Sequence, residues 1–308
     1  GAVRSRGPAV EIRPEVQQAL ATGRPVVALE STLITHGLAW PRNLEAARSA
    51  EAAVAQTGAV PATIAVRQGS LVVGLDEHEL EQVARAHEPQ KASRSTLAIA
   101  MARGGWAGTT VSATMIAAHR AGIRVFATGG IGGVHRGGER TLDVSADLDE
   151  LARTPLVVVC SGPKSILDVD LTLEYLETRG VPIVGWRTDE LAGFFSRESG
   201  RRLDYRVTDG AAVAALFGHQ SRLGLEAAIV VAVPVPEEAA LPREEADAAI
   251  AQAIADAESA KIHGPASTPW VLARVAELTG GRSVVANLAL IESNARVAGL
   301  VAAELVGF

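Results

Sequence analysis

The chain has 308 residues, 48% of them hydrophobic but only 4% aromatic, with a net charge of −6 and a single cysteine. A chain this long buries a large core, here built from Ala, Val, Leu and Ile, and the acidic balance argues against nucleic-acid binding through a basic face. Cys160 alone excludes an internal disulfide and fits a reducing compartment; with no apolar run near 18 residues and no signal-peptide core, the expectation is a cytoplasmic protein without a membrane partner.

Residues 1–13 are basic, contain Gly and Pro, and are expected to be loosely held. Residues 14–22 read as a short helix stopped by Gly23, and 25–29 as a buried strand. That strand runs straight into Glu30-Ser31-Thr32. A carboxylate there is positioned by the strand, either for chemistry or as a cap or salt-bridge partner. Residues 43–57 form an Ala-rich helix ended by Gly58, and 62–66 and 71–75 a hairpin around Arg-Gln-Gly-Ser. Asp76 caps a short acidic helix reaching about residue 87. Lys91-Ala-Ser-Arg-Ser95 reads as a loop, with Ser93 or Ser95 capping a helix that closes at Gly104-Gly105. Gly108-Thr-Thr-Val-Ser112 is a small-residue turn opening the helix 111–121. Its free N–H groups suit an anion, although capping explains Thr and Ser equally well.

The strand 123–127 leads into a loop with Gly129, Gly130, Gly132, Gly133, His135, Arg136, Gly137 and Gly138, followed by Asp143, Ser145 and Asp147. A short helix (148–153) and a strand (156–160) follow, then Ser161-Gly162-Pro163-Lys164-Ser165. The pattern continues with helix 168–179, strand 181–186, a loop at 188–202 carrying Phe194 and Phe195, helix 209–224 and strand 227–233. Three helices close the chain: 243–260, 268–278 and 283–305, the last containing Asn287 and Asn294. Strands alternating with helices at this spacing predict an α/β protein, a largely parallel sheet covered by helices on both sides. No repeat or linker divides it, so residues 1–308 read as one domain.

In α/β proteins ligands gather on loops after the carboxyl ends of strands, which directs attention to the two loops around residues 129–147 and 161–165. Lysine use sharpens this. The chain holds 29 Lys and Arg together, but only Lys91, Lys164 and Lys261 are lysine. Arginine stays protonated, whereas a lysine amine can act as a nucleophile. Lys164 is therefore the first catalytic candidate. Gly162-Pro163-Lys164-Ser165 lacks the P-loop glycines, and Gly130-Ile-Gly132-Gly-Val-His135 ends in histidine where the dinucleotide motif has glycine. Zinc spacing is absent. Asp143 and Asp147 suit either a hard cation with several waters or a solvated acidic loop. A lysine amine makes an imine with a sugar aldehyde, an electron sink for breaking a C–C bond, and a nearby carboxyl such as Glu30 moves the proton. Two other readings stay open: a glycosidase using Glu30 with Asp143 or Asp147, and a non-catalytic sugar-phosphate-binding protein.

Longer motifs narrow the choice. ALEST at 28–32, THG at 35–37, GAVPATIAV at 58–66, GTTVSATM at 108–115, RVFATGGIGGVHRG at 124–137, DVSADL at 143–148, ARTPLVVVCSGPKSILD at 152–168 and GGRSVVAN at 280–287 resemble the pseudouridine-5′-phosphate glycosidases, also called the indigoidine synthase A-like family. The resemblance runs from about Val26 to about Ala303. It implies an α/β/α homotrimer that cleaves pseudouridine 5′-phosphate to uracil and ribose 5-phosphate, or acts on a related C-nucleoside in a pigment pathway. It implies Lys164 as the residue bonded to C1′ of the opened ribose and Glu30 as proton donor. Substrate contacts fall on Lys91, Val111, Ser145, Ala146 and Asp147, with His135 and Asn287 near the phosphate. A divalent cation, usually Mn²⁺, falls on Asp143, largely through water. The chain departs from the family pattern at Val233-Pro-Val-Pro236, where asparagine is expected before the first proline, and at Ser161–Lys164, where alanine often precedes the proline.

Overall fold

The structure, a computed structural model, describes residues 9–262 and 267–308. The chain order begins β1 (Val10–Ile12), α1 (Pro14–Ala21), β2 (Val26–Leu29), a π-helical turn (Leu33–Gly37) and α2 (Arg42–Ala55). It continues with β3 (Val60–Arg67), β4 (Ser70–Val73), α3 (Glu77–Ala84), β5 (Gln90–Ala92), α4 (Leu97–Arg103), β6 (Trp106–Thr109) and α5 (Val111–Ala121). After β7 (Val125–Ala127) come α6 (Gly138–Thr141), α7 (Ala146–Leu151), β8 (Val157–Cys160) and α8 (Val169–Thr178). The second half holds β9 (Ile183–Trp186), β10 (Arg206–Val207), α9 (Gly210–Leu223), β11 (Ile229–Ala232), α10 (Arg243–Ser259), α11 (Ser267–Leu278) and α12 (Arg282–Glu304).

The strands form one sheet in the order β1-β4-β3-β2-β7-β8-β11-β9-β10, with β6 on β3 and β5 on β6. All pairs are parallel except β3 with β4 and β3 with β6. The central strands β2, β7, β8 and β11 are buried at every position, which is why they read as unbroken apolar runs rather than alternating ones. Their side chains divide by parity. Val27, Leu29, Val125, Val157, Val159 and Val231 pack with α2, α9, α10 and α12, whereas Ala28, Phe126, Val158 and Val230 face α1, α5 and α7. The three-layer α/β/α architecture expected from the alternation follows.

Side-chain caps fix several helix starts: Asp76 and Glu79 form a capping box on α3, and Thr110, Asp168 and Asp209 cap α5, α8 and α9. Three expectations need correction. Residues 10–12, expected to be loose, pair in parallel with β4; residues 1–8 lie outside the described residues. Lys91 lies on a strand rather than in a loop. Neither Ser93 nor Ser95 caps α4, which starts at Leu97; Thr96 Oγ1 accepts from the Ser93 N–H instead. One helix, α12, passes a length-and-composition test for crossing a bilayer, but half of that stretch is buried against α2, α9 and the sheet, with Val285 and Leu300 left exposed.

Candidate active site

β3 organises the site because it carries two partners along one edge. Its first half pairs in parallel with β2, from Val26↔Val60 to Leu29↔Thr63. Its second half pairs with β6 in the opposite sense, from Ala65↔Gly108 to Arg67↔Trp106. β2 and β6 therefore run toward each other, and their carboxyl ends meet. At the junction Thr109 N–H donates to Ser31 Oγ (2.8 Å) and Ser31 N–H to the Thr109 carbonyl (3.4 Å). Backbones approach so closely that a Cβ on Gly108 would lie 2.0 Å from Thr35 Oγ1. β5, parallel to β6, sets Lys91 opposite Gly108. β7 and β8, beside β2, deliver the loops that begin at Thr128 and Ser161.

Those two loops are bonded to each other. Ser161 N–H donates to the Gly129 carbonyl, Ile131 N–H to Gly162, and Lys164 N–H to Ile131 (2.8, 3.1 and 3.0 Å). From α12, the buried Asn294 donates to the Thr128 carbonyl (2.9 Å) and bonds Ser161 Oγ. Lys164 thus stands on a braced turn rather than a free loop, a requirement for a placed nucleophile.

Glu30, Lys91 and Lys164 line one cavity of about 190 Å³, with His36, Thr128 and Asn287. Thr128 Oγ1 donates to the Glu30 carboxylate. Burial raises the Glu30 pKa above the carboxylate norm; the Lys164 cation, the Thr128 hydrogen bond and Lys91 oppose the rise, and the Asp147 charge adds to it. Lys91 is pushed down by desolvation and by the Lys164 cation. His36 is pushed down by burial and then by Lys91, which favours the neutral imidazole. The cavity therefore combines a carboxyl inclined to keep its proton with two amines and a neutral imidazole, the makings of proton transfer to a leaving group and amine attack on a carbonyl carbon. Its remaining wall is largely apolar: Leu33, Leu38, Phe194, Phe195 and Leu272, the last from α11.

Asp147 lies beside the cavity, near enough for its charge to act on both Glu30 and Lys91. Its carboxylate accepts from Ser112 N–H (3.0 Å) at the start of α5 and from Gly132 N–H (2.8 Å). Ser145 caps α7 by accepting from Asp147 N–H (3.2 Å), and Ala146 is the first helical residue. Val111 opens α5, so Val111, Ser145, Ala146 and Asp147 are drawn together although 34 residues of chain separate the first two. His135 and Asp143 form a separate pair on the glycine loop: His135 N–H donates to the Asp143 carbonyl (2.9 Å), and Nδ1 is 3.9 Å from Oδ2. Neither lines the cavity. Among the described residues no group of three or more His, Cys, Asp or Glu side chains is arranged around a common point for a metal.

The residues that sequence reasoning passed over are His36 and Thr128. A signal existed for His36: it follows Glu30 by six positions within the Thr-His-Gly triplet, on the π-helical turn Leu33–Gly37, a distortion that recurs at functional sites. Thr128 carried none beyond its place at the end of β7.

Comparison with known proteins agrees with this architecture. The family model described as "Indigoidine synthase A like protein" matches residues 15–304. Pseudouridine-5′-phosphate glycosidase of Methylobacterium nodulans is 54% identical over 300 residues, covering 97% of this chain and 89% of the relative. The enzyme of the same name from Caldanaerobacter subterraneus is 51% identical, with 96% of each chain covered. Among solved structures, the prealnumycin C-glycosynthase AlnA in complex with ribulose 5-phosphate superimposes with a TM-score of 0.90 at 42% identity over 98% of both chains. An indigoidine synthase A-like protein from Thermotoga maritima gives 0.87 at 38% over 99% of both.

Proposed function

The chain belongs to the indigoidine synthase A-like family, and on that premise we propose that it is a glycosidase cleaving the C–C glycosidic bond of pseudouridine 5′-phosphate to uracil and ribose 5-phosphate. The observation that carries this reading is the cavity this chain builds from Glu30, Lys91 and Lys164; relatives aligned over nearly the whole chain and named pseudouridine-5′-phosphate glycosidase support it.

Pseudouridine has no N-glycosidic leaving group, so cleavage needs a proton on uracil C5 and an electron sink at C1′. Lys164 attacks C1′ as the free amine while the C1′–O4′ bond opens, and O4′ takes the proton that the attacking nitrogen gives up. Glu30 then delivers its proton to C5, the C1′–C5 bonding pair returns to the uracil ring, and the lysine nitrogen lone pair forms the imine with C1′. Water hydrolyses the imine, releasing ribose 5-phosphate and restoring the amine, so the net reaction adds one water. Burial that keeps Glu30 protonated serves this step. Lys91, Val111, Ser145, Ala146 and Asp147 hold the sugar phosphate, with His135 and Asn287 toward the phosphate end; phosphate binding orients the reacting end.

Asp143 is an exposed carboxylate with His135 Nδ1 3.9 Å away, and among the described residues the two belong to no group of three or more His, Cys, Asp or Glu side chains. That donor set suits a largely hydrated hard cation such as Mn²⁺, completed by substrate oxygens, rather than a protein cage; the cation would neutralise phosphate charge. We further take the enzyme to be a cytoplasmic homotrimer, to be checked by the mass in light scattering.

The test is borohydride trapping with ribose 5-phosphate and Mn²⁺, read by peptide mass spectrometry, beside an assay of uracil release. A stable adduct on the Lys164 peptide, lost in Lys164→Ala, supports the imine. Uracil release without an adduct moves the chemistry to the carboxylates, and the absence of both adduct and turnover leaves a binding protein or a different substrate. A second reading, C–C bond formation onto another aglycone, draws support from the likeness to prealnumycin C-glycosynthase and from the apolar cavity wall. It predicts turnover of ribose 5-phosphate with an aromatic acceptor but not with uracil.

A further inference from the structure

One network beside the site has no place in the reaction so far. Glu150, on α7 and only 1% exposed, accepts from Arg94 through both guanidinium edges (NH2 at 3.1 Å, Nε closer) and from Thr154 Oγ1 (2.7 Å). Its charge is thus buried but fully partnered, the arrangement in which removing one partner is costly. Arg94 is three residues beyond Lys91, and its backbone N–H donates to Ser112 Oγ (3.0 Å). Ser112 in turn donates its N–H to Asp147. Asp147 is one turn before Glu150 on the same helix, where residues three apart share a face. The contacts close a ring: Arg94 side chain, Glu150, α7, Asp147, Ser112, Arg94 backbone.

The ring ties together three elements already packed side by side: β5 and the segment after it, with Lys91 and Arg94, the start of α5 with Val111, and α7 with Asp147, whose N-cap is Ser145. Arg94 is bound into it at both ends, by its backbone and by its guanidinium. Its side chain is 41% exposed on the outer side and is not among the residues lining the cavity.

We propose that the Arg94–Glu150 pair is a positioning clamp that sets Asp147 against Lys91, and so fixes the sugar-phosphate half of the site without touching substrate. The proposal rests on the reading of Lys91 and Asp147 as substrate contacts. Arginine is required because its planar fork engages both carboxylate oxygens of Glu150; lysine would keep the backbone bond to Ser112 but offers a point charge without that fork.

The test measures kcat and KM for pseudouridine 5′-phosphate, with thermal midpoints, in Arg94→Met, Arg94→Lys and Glu150→Gln, and repeats Arg94→Met in an Asp147→Asn background. Wild-type uracil release is the entry condition: its absence overturns the proposed function, and the clamp with it. With the wild type active, the clamp predicts that Arg94→Met and Glu150→Gln lower kcat/KM on the order of 10²-fold, the scale of an ångström-level misplacement. The loss falls mostly on KM, and Arg94→Lys restores little. In the Asp147→Asn background Arg94→Met costs less than about 3-fold more, because the residue through which it acts is already impaired. Equal losses in both backgrounds, or a lowered midpoint with kcat/KM intact at temperatures where the variant is folded, would show a structural ion pair only and overturn the proposal.

Discussion

Gly132→Ala tests the placement of Asp147 most directly. No left-handed backbone demands glycine at 132; the lack of room does. A Cβ there would sit 2.3 Å from Ser145 Oγ and 2.7 Å from both Ser145 Cβ and Asp147 Oδ2. Ordinary carbon contacts need about 3.5–4.0 Å, so α7 and its capping residue must retreat by about 1 Å. Overpacking of this kind costs about 1–3 kcal/mol. Weakening the bond from Gly132 N–H to the Asp147 carboxylate adds roughly 1–2 kcal/mol, since hydrogen bonds to charged groups are worth about 1.5–3 kcal/mol. The expected penalty is therefore about 2–5 kcal/mol, seen as a clearly lowered denaturation midpoint. With the substrate contact displaced, kcat/KM for uracil release should fall on the order of 10²-fold. Gly137→Ala is the control: it strains a left-handed backbone (φ +77°), but its Cβ meets only Arg140 NH2, at 3.8 Å. It should cost about 1–2 kcal/mol and leave KM unchanged. A Gly132→Ala enzyme that folds and keeps wild-type KM and kcat would refute the claim that Asp147 and Ser145 border the substrate.

Three further outcomes follow from the same geometry. Because Glu30 donates from its protonated form, uracil release should fall as pH rises through its raised pKa; Glu30→Gln should abolish release and keep the borohydride adduct with ribose 5-phosphate. Glu51, on α2, accepts from Thr63 Oγ1 (2.7 Å) and is pushed up by burial to about 7. The unfolded chain ionises this group near 4.5 and the folded one near 7, so stability is lost as pH climbs across that window and stays lost above it. Glu51→Gln should thus match the wild type below pH 4.5 and exceed it by up to roughly 3 kcal/mol above pH 7, measured by urea denaturation at both pH values; equal stability at pH 8 would contradict this. Asp143→Ala should raise the Mn²⁺ concentration giving half-maximal activity, while trapping on Lys164 persists at saturating metal; an unchanged Mn²⁺ requirement would remove Asp143 as the cation's residue.

The elements legible in the sequence were those whose cause is local. Glycines in the left-handed region at 122 and 224 end α5 and α9 where the pattern placed the stops, and Asp76 with Glu79 builds the cap read from Asp76. β5 and β6 escaped for a physical reason. Gln90–Ala92 and Trp106–Thr109 are short, one holding a lysine and the other a glycine, and neither has a strand pattern of its own. They are strands because β3 is long enough to continue past the end of β2 and offers its spare edge to β6; such pairing overrides propensity. The same event creates the site, since it brings Glu30 and Lys91 to one junction from strands far apart in sequence. Which polar side chains share the cavity therefore depends on a pairing that no local window encodes: His135 and Asp143, on one of the two strand-end loops the sequence singled out, stand outside it. Lysine scarcity pointed correctly to the cavity because it reports side-chain chemistry rather than position. Two of the three lysines, Lys91 and Lys164, line that cavity, where desolvation and the Lys164 cation push Lys91 down and both lysines act on Glu30. A chain that uses arginine for nearly all its cations has placed two of its three lysine amines beside the buried Glu30 carboxyl.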